Sequence, residues 1–142
     1  MSGPSLRKLD AHRAIHEGSF REAKHLTDLL YKLVDEKKEK ESAEVADGLV
    51  EHWELRVITH ADSEEDGFYK EVVEKDPDMS ETIAKLTRDH DLLRILTKRI
   101  RGILKSDGVT KEVLECFTGM LIVNEIHSRD EEEKLLGHDH HH

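Results

Sequence analysis

Thr59–Tyr69, THADSEEDGFY, places His60 and Glu64 four residues apart, one turn along a single helix face. Asn124–Leu136, NEIHSRDEEEKLL, repeats the spacing with His127 and Glu131. Between them RDHDLL carries His90, and ahead of both DAHRAIHE carries His12 and His16. Four segments therefore each offer an imidazole and two also offer a carboxylate. That is the donor set of a dinuclear metal site inside four helices.

Working outward, each segment lies on an apolar stripe of helical period. The first runs over about residues 6–36 through Leu9, His12, His16, Ala23, Leu26, Leu30 and Leu33. The second, about 43–74, carries Ala46, Val50, Trp53, Val57, His60, Glu64 and Phe68, with Ser42 as its expected N-cap. Pro77 ends it, and Asp78 or Ser80 is placed to cap a third helix over about 79–104, with Ile83, Leu86, His90, Leu93, Thr97, Ile100 and Leu104 in line. A turn at Gly108 leads to a fourth over about 110–136, with Val113, Phe117, Met120, Asn124, His127 and Glu131 on one face and Gly137 as its stop. The histidines and glutamates stand where a bundle would carry leucine.

In antiparallel hairpins, residues equally far from a turn meet at one depth, because both helices rise about 1.5 Å per residue. The midpoint of His60 and His90 falls beside Pro77, and that of His90 and His127 beside Gly108. His12 or His16 paired with His60 centres on Glu36–Lys38. All these midpoints are expected turns. The sequence thus predicts an all-α fold, an antiparallel up-down-up-down four-helix bundle, with its histidines in one layer.

Composition agrees. The 142 residues suit one domain, taken as residues 1–137, with the His-rich 138–142 read as a tail outside the fold. Only 36 % of residues are apolar and 38 % are charged, which a bundle tolerates because each helix needs one apolar stripe. A net charge of −10 without a basic patch argues against nucleic acid as a partner. The lone Cys116 and the lack of a leader or membrane-spanning run point to a cytoplasmic protein with no membrane partner.

Taken singly, each histidine reads as a core residue and each glutamate as a solvated one. Taken together, several imidazoles and two carboxylates buried at one level without a cation would be costly. Glu64 and Glu131 are the natural bridges between two ions, with His60, His90, His127 and one or both of His12 and His16 capping them. Iron, manganese and zinc all suit these donors. Six or seven protein donors leave positions for an oxo or hydroxo bridge and a small ligand. His25 and His52 fall off the stripes, Trp53, Phe68 and Cys116 read as core, and Glu65, Asp130 and Glu132 read as surface or supporting groups.

These segments resemble the hemerythrin-like, or HHE, cation-binding domains. LDAHRAI is similar to that family's first-helix histidine motif, HADSEEDGF and HSRDEEEKLL to its two H-x-x-x-E-E motifs, and RDHDLL to its third-helix histidine. The resemblance implies a non-haem di-iron centre with His12, His60, Glu64, His90, His127 and Glu131 as ligands. The constellation with its open coordination positions points to a protein that binds, senses or reduces a small oxidant such as oxygen, peroxide or nitric oxide, and, with no dinucleotide or flavin motif beside the site, electrons would come from an external reductase. An iron-responsive module acting on a protein partner is the alternative. The chain departs from the oxygen carriers at Arg94, where they have a second histidine. It departs again at Glu131, which stands one residue nearer its histidine than theirs does. The resemblance therefore speaks for a di-iron site more than for oxygen storage.

Overall fold

The computed structural model describes residues 3–136, so the tail at 138–142 and the stop expected at Gly137 lie outside the described residues, as does the side chain of Leu9. Within them every regular element is helical: α1 Gly3–Asp35, α2 Glu39–His52, α3 Thr59–Asp66, α4 Phe68–Lys75, α5 Ser80–Ser106 and α6 Lys111–Glu131. A π-helical turn, Trp53–Ile58, joins α2 to α3, and another, Glu132–Leu136, extends α6. With α2, α3 and α4 read as one rod, four rods remain. Each packs on the next across a short turn, as in an up-down-up-down bundle. Among the described residues no helix is long and apolar enough to cross a membrane.

The turns fall where the midpoints put them, but their chemistry differs from expectation in places. Ser42 does not cap the second rod. That rod begins at Glu39, and Ser42 is buried inside it with its hydroxyl donating 2.7 Å back to the Lys38 carbonyl. The reason lies one turn earlier. Lys37 takes φ 60°, and the amides of Lys37 and Lys38 bond to the carbonyls of Val34 and Leu33, a Schellman closure that reverses the chain sooner than a serine cap would. Lysine is strained in that left-handed conformation, whereas glycine is not. Lys37→Gly is expected to stabilise the protein by about 0.5–1 kcal/mol net of glycine's greater unfolded-state entropy, read as a raised denaturant midpoint at unchanged slope.

At the next turn neither Asp78 nor Ser80 caps α5. Asp76 accepts from the Asp78 amide at 3.2 Å and caps a short 3-10 turn, Pro77–Met79, while the Ser80 hydroxyl donates to the Pro77 carbonyl. Thr110 caps α6 by accepting from the Val113 amide.

The stripes face inward as read. All six stripe positions of α6, Val113 to Glu131, are buried, and so are Leu86, His90, Leu93, Thr97 and Ile100 on α5. Trp53, Leu49, Leu30, Leu93, Ile100 and Phe117 belong to the main apolar cluster. A smaller one gathers Tyr69, Leu86 and Leu135. His90 lies between Leu86 and Leu93 in sequence, and His127 between Met120 and Leu135. The polar layer is thus held between two apolar ones.

Candidate metal centre

α1 contributes His12 and His16, α3 contributes His60 and Glu64, α5 contributes His90, and α6 contributes His127 and Glu131. These seven form two groups whose donor atoms each lie within 4.8 Å of one another. One is His12, His16, His60 and Glu64; the other is Glu64, His90, His127 and Glu131. Glu64 is common to both.

The carboxylates span the two groups. Glu64 turns Oε2 to His12 Nδ1 at 3.7 Å and His60 Nε2 at 3.4 Å, and Oε1 to His90 Nε2 at 3.4 Å. Glu131 turns Oε1 to His16 Nε2 at 3.2 Å and His12 Nδ1 at 3.7 Å, and Oε2 to His127 Nε2 at 3.6 Å. Each carboxylate therefore offers one oxygen to either side, the geometry a bridge between two cations requires.

Supporting residues orient the imidazoles. His90 Nδ1 donates to Glu65 Oε2 at 2.7 Å, and His127 Nδ1 donates to Asp89 Oδ2 at 2.9 Å. Carboxylates only accept, so both Nδ1 atoms carry protons and both Nε2 atoms turn toward the centre. Arg94 holds Glu65 at 2.9 Å while also pairing with Asp62 and Asp91, so it braces the surround instead of entering the centre. Tyr69 donates to Glu131 Oε2 at 2.5 Å and stacks on the His90 ring, with centroids 5.6 Å apart. Burial, with the Glu131 and Glu64 charges beside it, pushes the Tyr69 phenol far above its usual range, so it remains a donor.

Other shifts follow from the density of partners. Burial alone would lift the Glu131 carboxyl, but the imidazoles of His12, His127 and His16 close around it hold it well below the usual carboxylate range. Burial would lower His127, yet Asp89 and Glu131 outweigh it and raise it to about 9. His60 is raised by the Glu64 carboxylate beside it, against the opposing effect of burial.

Whether these residues suit metal ions can be tested on the polar atoms themselves. His12 Nδ1, His60 Nε2, Glu64 Oε2 and Glu131 Oε1 are buried and lack a hydrogen-bond partner. Those same four atoms face each other across 3.4–3.7 Å. Buried groups of this kind are rare without a partner, and a cation among them would satisfy all four. His90 and His127 bring their Nε2 atoms to 3.0 Å. With both Nδ1 atoms already committed as donors, only a proton or a cation relieves two converging lone pairs. The donor set fits two borderline ions.

The structure brings together all seven residues singled out by sequence, His16 as well as His12. Glu65 supports His90, and Glu132 pairs with Arg13 at 3.1 Å, 3.6 Å from His16 Nδ1. Trp53 and Cys116 are core, whereas Phe68 is half-buried against His12, with ring centroids 5.6 Å apart. Asp89 and Tyr69 went unread. Asp89, beside His90 in sequence but bonded to His127 on another helix, gave no local signal, and neither did Tyr69, which lies off the stripe. Residues 9–138 match the family model described as the hemerythrin HHE cation binding domain. No curated protein and no solved structure matches the chain.

Proposed function

Because the chain belongs to the hemerythrin HHE cation-binding domain family, we propose that it is a non-haem di-iron protein that binds, senses or reduces a small oxidant. The observation that carries this reading is Glu64, shared by two histidine clusters, with four unpartnered donor atoms turned inward around it. His12, His16 and His60 would hold one iron, His90 and His127 the other, with Glu64 and Glu131 bridging. Manganese or zinc would fit the same donors, and an oxo or hydroxo bridge would complete the pair. Bound iron would supply electrons and an open coordination position to oxygen, peroxide or nitric oxide.

The chain's own residues perform the rest. Glu65 and Asp89 retain the Nδ1 protons of His90 and His127, which fixes the tautomer and makes each Nε2 a better donor to a cation. Tyr69 holds Glu131 Oε2 so that Oε1 stays turned toward His12 and His16. The apolar layers on either side limit how much of the centre water can reach. Turnover would draw electrons from an external reductase.

The test is iron content and optical spectra of the reconstituted protein, reduced and then exposed separately to oxygen, peroxide and nitric oxide. About two irons per chain with distinct spectra for each ligand is expected; one iron or fewer would sink the proposal. Removing the support should weaken the site without removing a ligand. Asp89→Ala is expected to lower metal affinity about 10–100-fold, measured by competition with a chelator.

The unpartnered atoms also favour a second reading, an iron-responsive module whose fold tightens on metal binding. It would show a large melting difference between loaded and stripped protein but no ligand-dependent spectral change.

A further inference from the structure

The seven polar residues do not close the layer completely. A narrow cleft reaches them from one side, and beyond the proposed ligands it is lined by Ile15, Ser19, Arg56, Val57 and Asn124. Two of these have no role in the fold. Asn124 is only 5 % exposed, and its side chain lines the cleft instead of bonding to another side chain or to the backbone among the described residues. It sits three residues before His127, so the two share one face of α6 and Asn124 stands beside the imidazole. Its amide, which offers both donors and an acceptor, is therefore open to whatever occupies the cleft.

Arg56, at the exposed edge of this cleft, is the other. Arg13, Arg94 and Arg101 each reach a carboxylate, but among the described residues Arg56 reaches none, in a chain of net charge −10. Its guanidinium is therefore not tied up in an ion pair and stands free at the mouth of the cleft to attract an anion. Two divalent or trivalent cations held by two carboxylates would leave a net positive centre at the inner end. A free guanidinium at the mouth, the positive floor that a loaded centre would supply and an amide donor on the wall together favour a small anion.

We propose that Asn124 is the specificity-determining residue of this cleft, donating its amide to the free end of a small monoanion of two or three heavy atoms, and that Arg56 draws such anions in. This rests on the di-iron reading and assigns to its ligand cleft two residues of this chain. Hydroperoxide is the reactive member of the class; azide is its stable probe.

The test titrates azide into the oxidised, iron-loaded protein after iron per chain has been measured. Asn124→Leu is expected to keep two irons, weaken azide at least tenfold and shift the infrared stretch of the bound azide. Asn124→Ser, which keeps a donor on a shorter arm, should fall between. Arg56→Gln, on the surface and without folding risk, should slow azide association severalfold at low salt, with the difference vanishing at high salt. Two irons with equal azide affinity and an unmoved infrared band in N124L would overturn the Asn124 assignment alone. Equal association rates in R56Q would overturn the attraction by Arg56. A wild-type protein holding fewer than two irons would overturn the di-iron reading, and this inference with it.

Discussion

On the proposed di-iron reading, Glu64→Leu is expected to lower bound iron from two per chain to one or none and to remove most of the stability that metal would confer. Glu64 is the residue common to both clusters, so its loss would take a donor from each of two ions and the charge that would screen one from the other. At free metal a thousand times the dissociation constant, binding adds about 4 kcal/mol, and that increment disappears with the site. In a domain of this size it amounts to about 10 °C in melting temperature. The stripped proteins should behave in the opposite way. Glu64 is 4 % exposed and its Oε2 lacks a hydrogen-bond partner, so leucine removes a buried carboxylate and metal-free E64L should melt at or above metal-free wild type. Calorimetry of both proteins, loaded and stripped, gives all four values. If E64L keeps two irons, the bridging assignment fails.

Trp53→Ala will cost about 3–5 kcal/mol, because the largest fully buried side chain is lost from the main apolar cluster and the surrounding rods cannot collapse into the space. Trp53→Phe should cost far less than its loss of volume suggests. The Trp53 indole N–H is buried without a partner, and phenylalanine removes that unsatisfied donor, offsetting about 1–3 kcal/mol of lost packing. Denaturant midpoints at unchanged slope would separate the two substitutions. A W53F as damaging as W53A would mean that the indole N–H has a partner, for instance a buried water.

Much of this was legible because bundle packing is periodic. Burial of every stripe position from Val113 to Glu131 follows from the 3.6-residue repeat. The layer of histidines follows from turns at Glu36–Lys38, Pro77 and Gly108, since equal distances from a turn mean equal depth. What escaped depends on contacts between rods. Asp89 matters because His127, on another helix, presents Nδ1 to it, and nothing local in RDHDLL says so. Tyr69 lies one position past the stripe, brought inward after the chain breaks at Gly67 between α3 and α4. Asn124 was visible as a polar residue on an apolar stripe, but its significance depends on what it does not touch. Ser42 was misplaced because a lysine accepted the left-handed turn usually left to glycine.

The π-helical turns carry a consequence for how the site is encoded. Trp53–Ile58 precedes His60, and Glu132–Leu136 follows Glu131. The Thr59 hydroxyl and amide both reach back five residues to the Glu54 carbonyl, the signature of one residue more than an α-helix would hold. Deleting a single residue between 53 and 58 would leave THADSEEDGFY intact in spelling while swinging it about 100° around the helix axis relative to Ala46 and Val50. The motif states which donors are present; the wide turn ahead of it sets the compass bearing on which they are aimed.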